Sequence, residues 1–252
     1  MILKRTYYAD NEKRRKLRKR AITVSVAVVI CTICLLGISI AYRRSNKTPD
    51  NAETIDFVIP SYKGAVYVEV NGNKPFFQNV AMTTEVYQQY SPLDSLGRCG
   101  PAIGCLGRET MSTEERGPIG MIKPSGWHTV RYDDLIEDKY LYNRCHLIAY
   151  TLSGENDNAL NLITGTRYFN KFGMLPFEIK VADYIMYTGN HVIYRVTPIF
   201  EGKNLVASGV LMEENSVEDH GAGIQFNVYV FNIQPGIEID YRTGDSKRIL
   251  QP

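Results

Sequence analysis

NRCHLIAYTLSGENDNALNLITGTRYFNKFGMLPFE, residues 143–178, places an arginine and a histidine two positions apart, then an asparagine-rich segment, then a glutamate. Arg144 and His146 follow the apolar residues Tyr140, Leu141 and Tyr142 and precede Leu147 and Ile148, a run that reads as a strand or the end of one. Residues i and i+2 of a strand share a face. The spacing therefore predicts that a permanent cation and a titratable imidazole point at one ligand. The asparagines downstream offer neutral oxygen donors to a hard cation. Phosphodiester cleavage needs these parts: an activated water, a cation on the phosphoryl oxygens and help for the leaving oxygen.

Each residue type suits a task. His146 can take a proton near neutral pH, because imidazole has a reference pKa of about 6.5. Arg144 can grip a phosphate with two parallel donors. Asn170 can offer its amide oxygen to magnesium, which prefers oxygen and keeps several waters, and Mn²⁺ can substitute at such a site. Glu178 can hold one of those waters in the outer shell. Eight residues of a regular helix turn through about 800°, leaving Asn170 and Glu178 roughly 80° apart. Pro176 lies between them and removes a helical hydrogen bond, which predicts a kink or a restart.

The neighbours get plainer readings. Asn161 sits between Leu160 and Leu162, where a buried amide must be satisfied, while Asn156 and Asn158 read as turn formers. His128, His191 and His220 lack such company and read as structural. Cys145 adjoins His146, but adjacent strand residues face opposite sides, so it reads as a buried thiol behind the site and not as a nucleophile.

Outward from this stretch, the pattern is one of short strands. IDFVIP (55–60) and GAVYVEV (64–70) are β-rich, and NGNKP (71–75) carries turn residues. A short helix is expected over Met82–Tyr90. The Gly- and Pro-rich tract 91–126 has little periodicity, and so long an irregular segment is expected to wrap the site and lend it a side chain. Apolar residues at 177, 181, 182, 185 and 186 fit an amphipathic helix. His191–Pro198 and Leu205–Met212 read as a hairpin, and Ile224–Ile233 as a further strand. The fold class is α+β with a central, mainly antiparallel sheet and flanking helices.

The first fifty residues differ in kind. KRRKLRKR (13–20) precedes 22 residues without a charge, 21–42, which is long enough to cross a bilayer as one helix. Nine Lys or Arg precede the span and three follow it closely. The positive-inside bias puts the N-terminus in the cytoplasm. The expected organisation is a basic cytoplasmic segment (1–20), a transmembrane signal anchor (21–42), a linker (43–55) and an extracellular domain (56–252). A cleaved signal peptide, releasing a secreted domain, is the alternative. Residues 1–49 hold twelve basic and two acidic residues, whereas 50–252 hold seventeen basic and twenty-five acidic, net −8. The basic run thus serves topology and anionic lipid. Tight non-specific nucleic-acid binding over the whole outer domain is disfavoured, and phosphate must meet a local patch. Cys99 and Cys105 could bridge, leaving Cys145 over.

The segment from about Tyr140 to Glu178 resembles the DNA/RNA non-specific endonuclease family, whose ββα-metal (His-Me finger) site carries a D-R-G-H motif on a strand. In that family an Asn follows, then the metal-binding Asn nine residues later, then a Glu eight residues later. Asn161, Asn170 and Glu178 stand at those intervals, with Arg144 and His146 in the R-x-H positions. The wider frame, through LITGTRYFN and MLPFE, is similar to membrane-anchored or secreted DNA-entry nucleases of Gram-positive bacteria over residues 55–245.

The resemblance implies a ββα-metal nuclease fold that cuts DNA, and possibly RNA, internally to 5′-phosphate ends. His146 would be the general base, Asn170 the protein ligand of a hydrated Mg²⁺, Asn161 an orienting residue and Glu178 the support of metal-bound water. Arg144, and Arg116 from the irregular tract, would bind phosphate. DNA uptake, nutrient scavenging and defence would all use this chemistry outside a membrane. Two positions depart from the motif: its Asp is Asn143 and its Gly is Cys145. These departures, with the acidic outer domain and Pro176, motivate the alternative of a non-catalytic membrane-tethered DNA receptor on the same fold.

Overall fold

A computed structural model describes residues 57–249. The basic segment, the expected span and the linker all lie outside the described residues. Among the described residues no helix is long and apolar enough to cross a membrane.

Three short strands, β1 (Tyr67–Glu69), β2 (Tyr87–Tyr90) and β3 (Ala102–Leu106), precede a hairpin of β4 (Tyr142–His146) and β5 (Leu162–Thr166). A single helical turn, α1 (Tyr150–Ser153), lies in the hairpin's long connection. After β5 a π-helical turn over Phe169–Met174 runs into α2 (Leu175–Thr188). Strands β6 (Val192–Ile199), β7 (Gly209–Ser216), β8 (Gln225–Phe231), β9 (Ile237–Ile239) and β10 (Ser246–Arg248) complete the order. Six strands form one antiparallel sheet, β1-β8-β7-β6-β3-β2, while β4 with β5 and β9 with β10 form separate two-stranded pairs. The α+β class with an antiparallel sheet is therefore observed.

The central strands alternate as a two-faced sheet requires. Val192, Tyr194 and Val196 of β6, with Val210 and Met212 of β7, join the main core, which also takes Met174, Phe177, Val181 and Ile185 from the helical segment and Cys145 and Ile163 from the hairpin. The ββα unit is thus laid on one face of the sheet. The other face has a smaller apolar cluster, including Cys105 and Ile193, and an ion pair between Arg195 and Glu213.

The start of the helical segment is fixed by side chains. The Thr166 hydroxyl accepts the Phe169 N–H at 3.0 Å, satisfying one of the donors a helix start leaves over. The Asn232 carboxamide accepts the Thr166 N–H at 2.9 Å and donates to the carbonyls of Thr164 and Ala207. Arg167 pairs with Asp138, and Lys171 with Glu137 at 2.6 Å, tying the π turn to the chain before β4.

Three sequence expectations change. Met82–Tyr90 is not a helix: the chain is irregular to Val86, and Tyr87–Tyr90 is an edge strand paired with Cys105–Ala102. Its two tyrosines suit a half-buried strand, and pairing outweighs weak local helix propensity. Pro176 does not restart the helix. It stands in the first turn of α2, where a missing N–H costs little, and the residues flanking the π turn, Tyr168, Met174 and Leu175, are all right-handed helical. The expected β6–β7 hairpin forms with a longer loop, because pairing begins only at Ile199 with Gly209. Cys99, Cys105 and Cys145 are free and buried.

Candidate active site

β4 ends at His146, and Asn161 holds that end in place. Fully excluded from solvent, Asn161 accepts the Ile148 N–H and donates to the Ile148 carbonyl, both at 2.9 Å. Its own carbonyl accepts from Leu147 at 2.8 Å. Asn161, through its backbone and its carboxamide, therefore continues the ladder for two residues beyond the strand, which satisfies the buried amide that the sequence required.

His146 is buried, with 7 % of its surface exposed. Its Nε2 lies 2.9 Å from the carbonyl oxygen of Asn156. A carbonyl only accepts, so Nε2 carries the proton and Nδ1 keeps a lone pair. The guanidinium of Arg116 reaches that Nδ1 with a long contact of 3.4 Å. Burial chiefly, and the Arg116 cation in addition, hold His146 below imidazole's usual range, against the opposing hydrogen bond to Asn156. The imidazole is neutral at pH 7, as a base must be.

Arg116 also acts on Glu178. The Glu178 side chain is only partly exposed, and burial pushes its carboxyl up to about 8, with Arg116 pulling the other way. His146, Glu178 and Cys145 all lie within electrostatic reach of Arg116, so β4, α2 and the irregular tract meet at one place.

Asn170 lies in the π turn, where its carbonyl accepts from the Leu175 N–H five residues on. Its half-buried carboxamide makes no hydrogen bond with the described residues. A π turn inserts one residue into the helical path. Eight residues then advance the helix by only seven regular steps, about 700°, so Asn170 and Glu178 fall within roughly 20° of one face. The π turn closes most of the angular gap that a regular helix would leave.

Arg144 has a different setting. Its guanidinium stacks over Trp127, 3.9 Å from the ring centroid. Nε donates to the Ile122 carbonyl and one terminal nitrogen to that of Gly120 at 2.9 Å. The other terminal nitrogen makes no hydrogen bond with the described residues. Arg144 thus fastens the irregular tract to β4, with one edge left for a ligand.

One motif departure, Cys145, finds an explanation in packing. Cys145 is fully buried, and a Cβ on Gly165 would come within 2.6 Å of its sulfur and of the Phe169 ring. The bare backbone of Gly165 makes room for the thiol. Burial raises the Cys145 thiol far above its usual range, so it stays protonated and inert. His191 is held by Glu218 at 2.6 Å and His128 by the Thr243 carbonyl at 3.0 Å, both away from this cluster.

The model of the family described as DNA/RNA non-specific endonuclease matches residues 78–218, more than half of the chain, and these contain the whole hairpin, the π turn and α2. The chain belongs to that family. Solved structures agree. NucA from Streptococcus agalactiae with magnesium ion bound is 26 % identical, with a TM-score of 0.63 over 72 % of this chain and 87 % of that one. The same protein with no metal bound gives 27 % and 0.62 over 72 % and 86 %. Sda1 nuclease with bound zinc ion gives 27 % and 0.59 over 74 % and 97 %. The protein is a nuclease of the hydrolase class, with nucleic acid as substrate.

Among the described residues no three His, Cys, Asp or Glu side chains cluster to hold a metal. A cation held at Asn170 would meet a carboxamide oxygen, with Glu178 as the carboxylate on the same helix face, and would keep most of its water. Mg²⁺ tolerates that arrangement. The Glu178 carboxyl, pushed up to about 8 by burial, likewise suits a neighbouring dication, which would favour its charged form. The residues present fit a hydrated divalent metal.

The sequence reading missed Asn156 and Trp127. Asn156 contributes through its backbone carbonyl, which any residue possesses, so no side-chain signal could mark it. Trp127 is the chain's one tryptophan, and that rarity was the available hint.

Proposed function

We propose that the protein is a metal-dependent endonuclease that hydrolyses DNA, and possibly RNA, without sequence preference to 5′-phosphate ends. The observation that carries this reading is the setting of His146: Nε2 lies 2.9 Å from the Asn156 carbonyl, which favours the proton there, and Nδ1 faces the Arg116 guanidinium. Nδ1 takes the proton of a water as that water attacks phosphorus in line with the departing 3′ oxygen. The Asn156 carbonyl steadies the imidazolium that forms. Arg116 turns from Nδ1 to a phosphoryl oxygen when substrate enters, and the free edge of Arg144 binds a neighbouring phosphate. Asn161 fixes the height of His146 through its hold on residues 147 and 148. Asn170 would hold Mg²⁺, with Mn²⁺ able to substitute, and Glu178 would accept hydrogen bonds from its waters. When bound, such an ion supplies positive charge to the phosphoryl and leaving oxygens.

The uncharged stretch 21–42 supports a single-pass membrane location with the catalytic domain outside. DNA uptake, scavenging and defence are the roles that position would serve. The test is a supercoiled plasmid incubated with the purified full-length chain, with and without EDTA, beside His146→Ala. The expected result is nicking that EDTA abolishes and that the variant loses by about 10²- to 10⁴-fold. Undiminished cutting by the variant, or cutting that ignores EDTA, overturns the mechanism. DNA binding without scission under any divalent metal would favour the receptor alternative.

A further inference from the structure

Tyr194 and Glu214 are register partners across β6 and β7, on the sheet face that carries α2. Both are fully excluded from solvent. The Tyr194 hydroxyl and both carboxyl oxygens of Glu214 have no hydrogen-bond partner among the described residues. Leaving such groups unpaired costs about 1–3 kcal/mol each, so native proteins satisfy them with protein groups or ordered water. The next register pair shows the contrast: Arg195 and Glu213 meet at 2.7 and 3.0 Å, and the Phe76 backbone closes the set at 2.7 and 2.8 Å.

What lies above the unpaired set is the site. Glu178 stands on the inward stripe of α2, four residues after Met174 and three and seven before Val181 and Ile185, all three fully buried. Residues at this spacing share a helix face. The stripe rests on the core that contains Tyr194. Burial first, then the charge of Glu178 and lastly that of Glu214, hold the Tyr194 phenol well above its usual range. Tyr194 is thus within electrostatic reach of both carboxyls. Burial also keeps Glu214 protonated, giving it an O–H to donate.

We propose that Tyr194 and Glu214, joined by ordered water, form a hydrogen-bonding floor beneath α2 that positions the Glu178 carboxylate for the metal's water shell. A buried water needs two to four polar partners, and the Tyr194 hydroxyl and the two Glu214 oxygens supply them, with Glu178 on the helix face above. Both residues are positioning residues, because neither touches substrate. The inference rests on the nuclease reading above.

The test compares the full-length wild type with Tyr194→Phe, Glu214→Met and Glu214→Gln. Mg²⁺ binding is measured by titration calorimetry, plasmid nicking across a Mg²⁺ series, and Tm in parallel. Tyr194→Phe and Glu214→Met should raise the half-saturating Mg²⁺ concentration about tenfold, at the low end of outer-shell losses, with the rate at saturating metal within about twofold of wild type. Glu214→Gln keeps a donor and an acceptor and should stay near wild type. If Tyr194→Phe, which deletes one oxygen, is folded and binds metal as wild type does, the floor is overturned whatever Glu214→Met does. Wild type that neither binds metal nor nicks plasmid removes the nuclease reading, and this inference with it. Wild type that does both, beside variants that match it, removes the inference alone.

Discussion

The ββα unit and the irregular tract before it supply one arginine each to the same site, and the two arginines have opposite fates. Arg144 sits on a regular strand, yet it reaches out to the tract, where two carbonyls and an indole take up all but one edge of its guanidinium. Arg116 sits on the tract with an exposed side chain, yet it reaches in to His146. The regular element donates its cation to hold the loop, and the loop donates its cation to the chemistry. A strand residue has a fixed exit direction and many fixed neighbours. A tract without a ladder of its own can carry a charge to a place that no strand position reaches.

Three substitutions test that division of labour. Asn170→Ala should have the largest effect, since it removes the oxygen proposed to hold the metal: a loss of about 100-fold in Mg²⁺ affinity or more, by comparison with outer-shell residues, measured by calorimetry. Unchanged metal binding would move the metal site elsewhere in the unit.

Arg116→Gln should lower the nicking rate by about tenfold, from the loss of one charged hydrogen bond to phosphate, and leave Tm nearly unchanged. It should also move the acid limb of the pH–rate profile. His146 must be neutral to act, and burial chiefly, with Arg116 as a further cause, places its titration below about 6.5. Removing a neighbouring cation makes the imidazolium less unfavourable, so the pKa rises and the limb shifts to higher pH. A limb that shifts down, or stays fixed, would separate Arg116 from the base.

Arg144→Met should show the smallest effect on turnover and a mainly structural one. Losing the charged hydrogen bonds and the stacking on Trp127 should cost about 1–3 kcal/mol in urea unfolding, with a lesser fall in rate than Arg116→Gln. The reverse order, a stable protein with a severe catalytic defect, would return the phosphate-binding role to Arg144.

The linkage sign for stability follows from the same histidine. A folded-state pKa below the unfolded value means that the unfolded chain binds the extra proton first. His146 therefore withdraws stability as pH falls through about 6.5 towards its folded pKa, and contributes no loss above that range.

Much of the unit was legible because its signals are local. The two-residue spacing of Arg144 and His146 marked a strand, and the apolar pattern 177, 181, 185 marked a helix that became α2. Asn161, an amide in an apolar run, announced that it needed partners. Elsewhere local signals misled. Tyr87–Tyr90 carries no strong periodicity and became a strand because β3 offers an edge to pair with. Pro176 looked like a break, but one inserted residue in the π turn absorbs it and turns Asn170 towards the face of Glu178.

The sequence by itself determined which chemical groups this protein possesses and their order along the chain: a cation, an imidazole, two carboxamides and a carboxyl at fixed intervals, the first two on a segment whose spacing specified a strand and the last beside a pattern that specified a helix. Only the tertiary structure decided which groups are spent on the fold and which are left for a ligand. The reason is that hydrogen-bond partners come from distant segments. The carbonyls of Asn156, Gly120 and Ile122 chose the tautomer of His146 and the fate of Arg144, and a backbone carbonyl leaves no mark in an amino-acid sequence.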